Sequence, residues 1–287
     1  MFNKETLHPA LHSLFCQAGF KQVSGLKQIS KCGVYVNSIF GALRVAGELK
    51  YHHRYEHCTI LFRGQRNDYG NMHPSLFRTY SLLNNTEIQR RVKLFEKLQK
   101  YIADFKKSPS RFNGGIGAAV LQHYDVRTAW LDATDNLYVA AYFASNGKPE
   151  DYSTKIDNHD IGFIFCLKIV NKFELLDRKA DPDEGWNHCW CDLRKVHRPL
   201  SLRPHAQHGV FISRPLKAIK DGNIDFSDLI IAVIAFPIYS LRNMVNIDGF
   251  EKLLYPEIHD HTNDWLKGKR NSNKKFRGLL EQLEALK

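Results

Sequence analysis

The chain has 287 residues, with 41 Lys and Arg against 30 Asp and Glu, a net charge of +11 and 12% aromatic residues. That length and apolar content exclude a disordered or fibrous chain and suit one large domain or two modest ones. No apolar run approaches the length of a bilayer-crossing helix, and the start MFNKETLHPALHSLF carries no secretory pattern, so a cytoplasmic protein with no membrane contact is expected.

In chain order, residues 34–49 (VYVNSIFGALRVAGEL) read as a helix leading into a first core strand at residues 59–62, with Arg63 at its end. A longer helix follows, capped by Asn85 or Thr86, with Glu87 in its first turn. Ile88, Val92, Phe95, Tyr101, Ile102 and Phe105 recur near helical spacing, and Ser108-Pro109 marks the end. Residues 111–117 (RFNGGIG) read as a flexible loop before a helix at 118–124. The G-x-G there follows no strand and Val120 takes the third glycine position, which rejects a dinucleotide-binding turn. A short strand at 127–131, a helix at 138–145 and strands at 161–170, 209–212 and 228–236 follow, then a basic tail and a final helix at 275–286. Strands and helices mix without strict alternation, which predicts an α+β fold. The expected division is a helical lead-in over 1–33, a main domain over 34–266 and a basic C-terminal helix over 267–287.

Six scattered cysteines in such a chain predict thiols rather than disulfides. His188, Cys189, Cys191 and His197 offer ligand types, but C-x-C lacks the usual spacing and no metal is expected. The positive balance favours a polyanionic partner, against the alternative of solvated lysine faces.

Three motifs put polar groups into apolar surroundings: LFRGQ at 61–65, LQHYDVRTAWLDATDN at 121–136, and AQHGVF at 206–211. Arg63 can hold a phosphate or carboxylate bidentately, or serve a structural salt bridge. Gly64 lets a ligand or a backbone approach closely. Arg78 offers a second cation on a loop. Asp132 is read as the cap of the next helix, able also to orient a neighbouring Arg or His. Thr134, Asp135 and Asn136 bring polar groups to the helix start, where an anion is favoured. Gln207 can hydrogen-bond a ribose or an amide, or satisfy nearby backbone. No P-loop and no serine or cysteine nucleophile motif is present.

Phe62-Arg63-Gly64-Gln65, Pro74-Ser75-Leu76-Phe77-Arg78, Leu121-Gln122-His123-Tyr124 leading to Thr128, Leu131-Asp132 and Ala140 to Ala144, then Ala206-Gln207, Gly209, Phe211 and Tyr255-Pro256 together resemble the FRG domain. Ala133 departs from the family, which often has Trp there. The FRG pattern in turn resembles ADP-ribosyltransferases. That resemblance implies a mixed sheet core with helical decorations, with NAD as the substrate cofactor. Arg63 matches the NAD-holding arginine, with Gly64, Gln65, Arg78, Thr134 and Gln207 as cofactor contacts. The third-motif Glu is missing, and Asp132, then His123, are its candidate substitutes, beside Arg63 and Gln207 as catalytic groups. The function implied is a bacterial toxin or antiphage effector that ADP-ribosylates nucleic acid. Charge favours RNA over DNA as acceptor and an acidic antitoxin as partner. An NAD glycohydrolase and a non-catalytic nucleotide or nucleic-acid binding module are the alternatives.

Overall fold

The computed structural model describes residues 8–16, 20–23, 33–78, 83–103, 114–146, 161–170, 188–196, 201–242, 247–256 and 260–286. The strands are β1 (Phe20–Val23), β2 (Gly33–Val36), β3 (Cys58–Gln65), β4 (Leu131–Thr134), β5 (Ile161–Val170), β6 (Cys189–Asp192), β7 (Gly209–Ser213) and β8 (Ile230–Pro237). The helices are α1 (Ile39–His52), α2 (Asn85–Ala103), α3 (Gly114–Gln122), α4 (Leu137–Asn146), α5 (Leu193–Val196), α6 (Leu202–Ala206), α7 (Leu216–Lys220), α8 (Ile238–Arg242), α9 (Ile247–Leu254), α10 (His261–Ser272) and α11 (Lys274–Glu284). The fold is α+β, as the unalternated order of elements predicts.

The chain forms two compact units, each assembled from three stretches. The first takes Met1–Met72, Ala133–Lys172 and Phe226–Lys252. Its strands run in the order β1, β2, β8, β5, β3. β2 and β8 are parallel; β1 on β2, β8 on β5 and β5 on β3 are antiparallel. Phe62 of β3 pairs with Thr134 at the end of β4. One sheet face packs on α1 and α4 through Ile60, Phe62, Ile164, Ile234, Ala140 and Ala144, all buried.

Two glycines make that contact close. A Cβ on Gly64 would overlap the Ala140 carbonyl oxygen and come within 2.7 Å of the Ala144 amide nitrogen. One on Gly162 would come within 2.8 Å of the Ala144 carbonyl oxygen. The small side chains at 140 and 144 and the two glycines therefore let helix backbone lie on strand backbone.

The second unit takes His73–Asp132, Phe173–Asp225 and Leu253–Lys287. Here α2, α3, α10 and α11 enclose Phe77, Phe95, Leu98, Ile102, Leu121 and Phe276, and the β6–β7 antiparallel pair adds Cys191 and Phe211 to the same core.

Several predicted elements shift. Residues 34–36 are strand, not helix: Val34 pairs with Ile234, and Ser38 caps α1 by accepting from the Gly41 amide. β3 runs on to Gln65, so Arg63 lies inside the strand and not at its end. Asn84, not Asn85 or Thr86, caps α2, because its Oδ1 accepts from the Glu87 amide at 2.9 Å. Residues 114–117 belong to α3 and not to a loop. Residues 127–130 lie outside any strand, and β4 begins at Leu131. Cys189 and Cys191 sit in β6, a strand not foreseen. In the basic tail, Asp260 caps an unforeseen helix, α10. Phe105, Ser108-Pro109 and His197 lie outside the described residues. Among the described residues Cys58, Cys166, Cys189 and Cys191 form no disulfide. Among the described residues no helix is long and apolar enough to cross a membrane.

Candidate functional site

The first unit holds the FRG motif. Gly64 turns its Cα toward α4, so its strand neighbours Arg63 and Gln65 leave from the opposite sheet face. Arg63 is only 7% exposed. Its cross-strand partner on β5 is Phe165, and Gln65 stands opposite Phe163. Phe163 in turn stands opposite Ala235 of β8, and Ala235 opposite Tyr35 of β2. One sheet face thus carries a guanidinium, a carboxamide and aromatic rings. The Gln65 Oε1 is buried and makes no hydrogen bond among the described residues. A buried acceptor left in that condition is costly unless a donor reaches it.

Thr134 does not share this face. It stands opposite Phe62, whose side chain packs on α4. Its Oγ1 accepts from the Asn136 amide at 3.1 Å. The Asn136 Oδ1 then accepts from the Tyr138 amide at 2.9 Å and the Val139 amide at 3.4 Å, so Asn136 caps α4. This corrects the reading of Asp132 as the cap. A cap must sit immediately before the first helical residue, and Asp132 lies inside β4, well short of the start of α4 at Leu137.

Asp132, His123 and Gln207 all lie in the second unit. The Gln122 Nε2 donates to the Asp132 Oδ1 at 2.8 Å, and the Thr128 hydroxyl donates to the Gln122 Oε1. The Gln207 Nε2 donates to the Leu254 carbonyl at 3.0 Å. Its Oε1 therefore accepts from His123 Nδ1 at 2.7 Å, which assigns the imidazole proton to Nδ1. His123 Nε2 is left as a buried lone pair with no hydrogen bond among the described residues. It faces Gly209, where a Cβ would come within 2.6 Å of it. Burial pushes the His123 pKa down to about 4, against a smaller upward pull from Gln207. The ring is neutral at physiological pH.

Sequence reasoning missed what surrounds this histidine. Arg203 donates to the His123 carbonyl at 3.1 Å and lies over the rings of Tyr124 and Tyr255. The Tyr124 hydroxyl donates to Asp260 at 2.7 Å, and Asp260 Oδ1 accepts from the Thr262 and Asn263 amides at 3.2 and 3.1 Å. The Tyr124 pKa is raised, first by burial and then by this bond. Tyr255 was the only one of these distant partners with a motif signal. Arg78 also belongs to the second unit; it is exposed, and its Nε donates to the His73 carbonyl at 3.0 Å.

The FRG domain model matches residues 58–153. This match supports the FRG family, and its span runs from the first residue of β3 through α4. It takes in the FRG strand, the Asp132 segment and the helix that Gly64 receives. No curated protein and no solved structure matches the chain.

Proposed function

We propose that the protein is an NAD-dependent ADP-ribosyltransferase that modifies nucleic acid, RNA before DNA, as a toxin or antiphage effector. The observation that carries the reading is the face shared by Arg63 and Gln65. A buried guanidinium suits a pyrophosphate, because its fork of donors matches the oxygen geometry. The unsatisfied Gln65 Oε1 suits a ribose hydroxyl or the nicotinamide carboxamide, both of which donate. Phe163, opposite Gln65 and partly exposed, adds aromatic surface beside them.

In the step proposed, the bond from ribose C1′ to the nicotinamide nitrogen breaks and nicotinamide leaves with the bonding pair. A nitrogen or hydroxyl oxygen of the acceptor forms the new bond at C1′, and its proton passes to water. Arg63 holds charge on the pyrophosphate during this step, which positions the ribose for attack. The net charge of +11 favours a polyanionic acceptor and an acidic neutralising antitoxin.

One observation favours a second reading, a non-catalytic nucleotide-binding module. Asp132 and His123, the candidate substitutes for the missing glutamate, are already engaged in internal hydrogen bonds, Asp132 with Gln122 and His123 with Gln207. Incubation of the purified protein with labelled NAD and separate pools of RNA, DNA and protein separates these outcomes. Transfer is expected to RNA and to vanish in Arg63→Ala. Free labelled ADP-ribose alone would mean an NAD glycohydrolase. Intact NAD with retained NAD binding would mean the module.

A further inference from the structure

Away from the Arg63 face, the first unit gathers a second set of chemical groups. α1 ends at His52, and His53 follows as its C-terminal cap. A tight turn then returns the chain to β3, with the Glu56 amide donating to the His53 carbonyl at 3.1 Å and His57 in the left-handed region at φ 47°. That conformation is uncommon for a residue with a Cβ. The turn brings His53, Glu56 and Cys58, six residues of sequence, into one cluster whose ligand atoms all lie within 4.8 Å of one another.

His53 is buried, and its two ring nitrogens have different neighbours. Nδ1 lies 2.8 Å from Glu56 Oε1. Nε2 lies 2.9 Å from His8 Nε2. The rings of His8, His52 and His53 meet edge to face, with centroids 4.9 to 5.2 Å apart. Glu56 divides its oxygens: Oε1 faces His53, and Oε2 accepts from Lys168.

We propose that His53 Nδ1, Glu56 Oε1 and Cys58 Sγ bind a divalent transition metal, zinc by the chemistry of the donor set. One imidazole, one carboxylate and one thiolate form a borderline-soft set that suits zinc and disfavours magnesium or calcium. The supporting contacts fit the role. With a metal on Nδ1, the His53 Nε2–H donates to His8 Nε2, the outer hydrogen bond that metal-bound histidines ordinarily make. Lys168 holds the other oxygen of Glu56 and so orients the carboxylate without occupying the metal-facing oxygen. Three protein ligands leave a fourth position for water or a further ligand. Cys58 begins β3, so this site lies about 17 Å along the strand from Arg63, by the rise of an extended chain. It is independent of the proposed NAD reading.

The test uses the full chain, stripped with chelator and titrated with zinc alone by calorimetry, and with cobalt(II) as the spectroscopic probe. The expected result is one ion per chain and a thiolate-to-cobalt charge-transfer band. Cys58→Ser is expected to abolish the band, and the half-exposed Glu56→Gln to weaken affinity at least tenfold. Circular dichroism confirms that each variant is folded. No saturable binding to the native chain would overturn the proposal. So would a cobalt band that survives in Cys58→Ser, or zinc affinity unchanged in Glu56→Gln.

Discussion

Gly64 and Ala140 touch backbone to backbone: the space a Cβ would take on the strand is filled by the helix carbonyl oxygen. This contact fixes which way the FRG strand faces. Gly64 belongs to the α4 side, so Arg63 and Gln65 are committed to the other side. The glycine of the motif thus acts through packing and sets the face from which the arginine acts.

Gly64→Ala is therefore expected to cost about 3 kcal/mol or more, because the obstacle is backbone and not the end of a flexible side chain. Urea denaturation measures it. A loss under about 0.5 kcal/mol, the range of an ordinary surface change, would show that α4 does not lie on β3 as described.

His123 gives a pH signature. Its folded pKa is about 4 against an ordinary 6.5, so the unfolded chain binds the extra proton and the folded chain does not. Stability from this group is fully present above 6.5 and is lost as pH falls toward about 4, by up to about 3 kcal/mol. Burial lowers the pKa of His8 and His73 in the same direction, but they are less enclosed. Comparison of His123→Asn with the native chain isolates the His123 share: its denaturation midpoint should change less between neutral and mildly acid pH. An identical pH dependence would contradict the neutral buried ring.

The Tyr124–Asp260 bond ties the turn after α3 to the start of α10. Tyr124→Phe removes one donor from a buried carboxylate and is expected to cost about 2 kcal/mol, measured by denaturant unfolding. An unchanged midpoint would mean that Asp260 is satisfied by its cap amides alone.

Gln65 bears on the site more than on stability. Gln65→Leu removes a buried acceptor that makes no hydrogen bond among the described residues, so the folded state should lose less than about 1 kcal/mol. NAD affinity measured by calorimetry should fall about tenfold, the equivalent of one lost hydrogen bond of about 1.4 kcal/mol. Unchanged affinity would remove Gln65 from the site.

Elements defined by their own residues were legible in the sequence. β5 matches its expected bounds because ten consecutive residues, IGFIFCLKIV, leave no helical alternative. β2 did not, because Val34-Tyr35-Val36 runs straight into α1 and its partner strand β8 is two hundred residues further along the chain, Val34 pairing with Ile234. α10 was hidden by its Lys, Arg and Asn content, since its start depends on the Asp260 cap. In the site, Arg63 was legible as a charge in an apolar run. The partnership of Gln122 with Asp132, and of Gln207 with His123, was not, because each links side chains that only the folded chain brings together.

Products from NAD in the presence of RNA, counted for the native chain beside Arg63→Lys, which keeps the charge and loses the fork, decide between transfer and its alternatives. ADP-ribose attached to RNA, in amounts matching the nicotinamide released and falling at least a hundredfold in Arg63→Lys, is the predicted result. Equal transfer by the two proteins, or NAD left whole by the native chain, would contradict it.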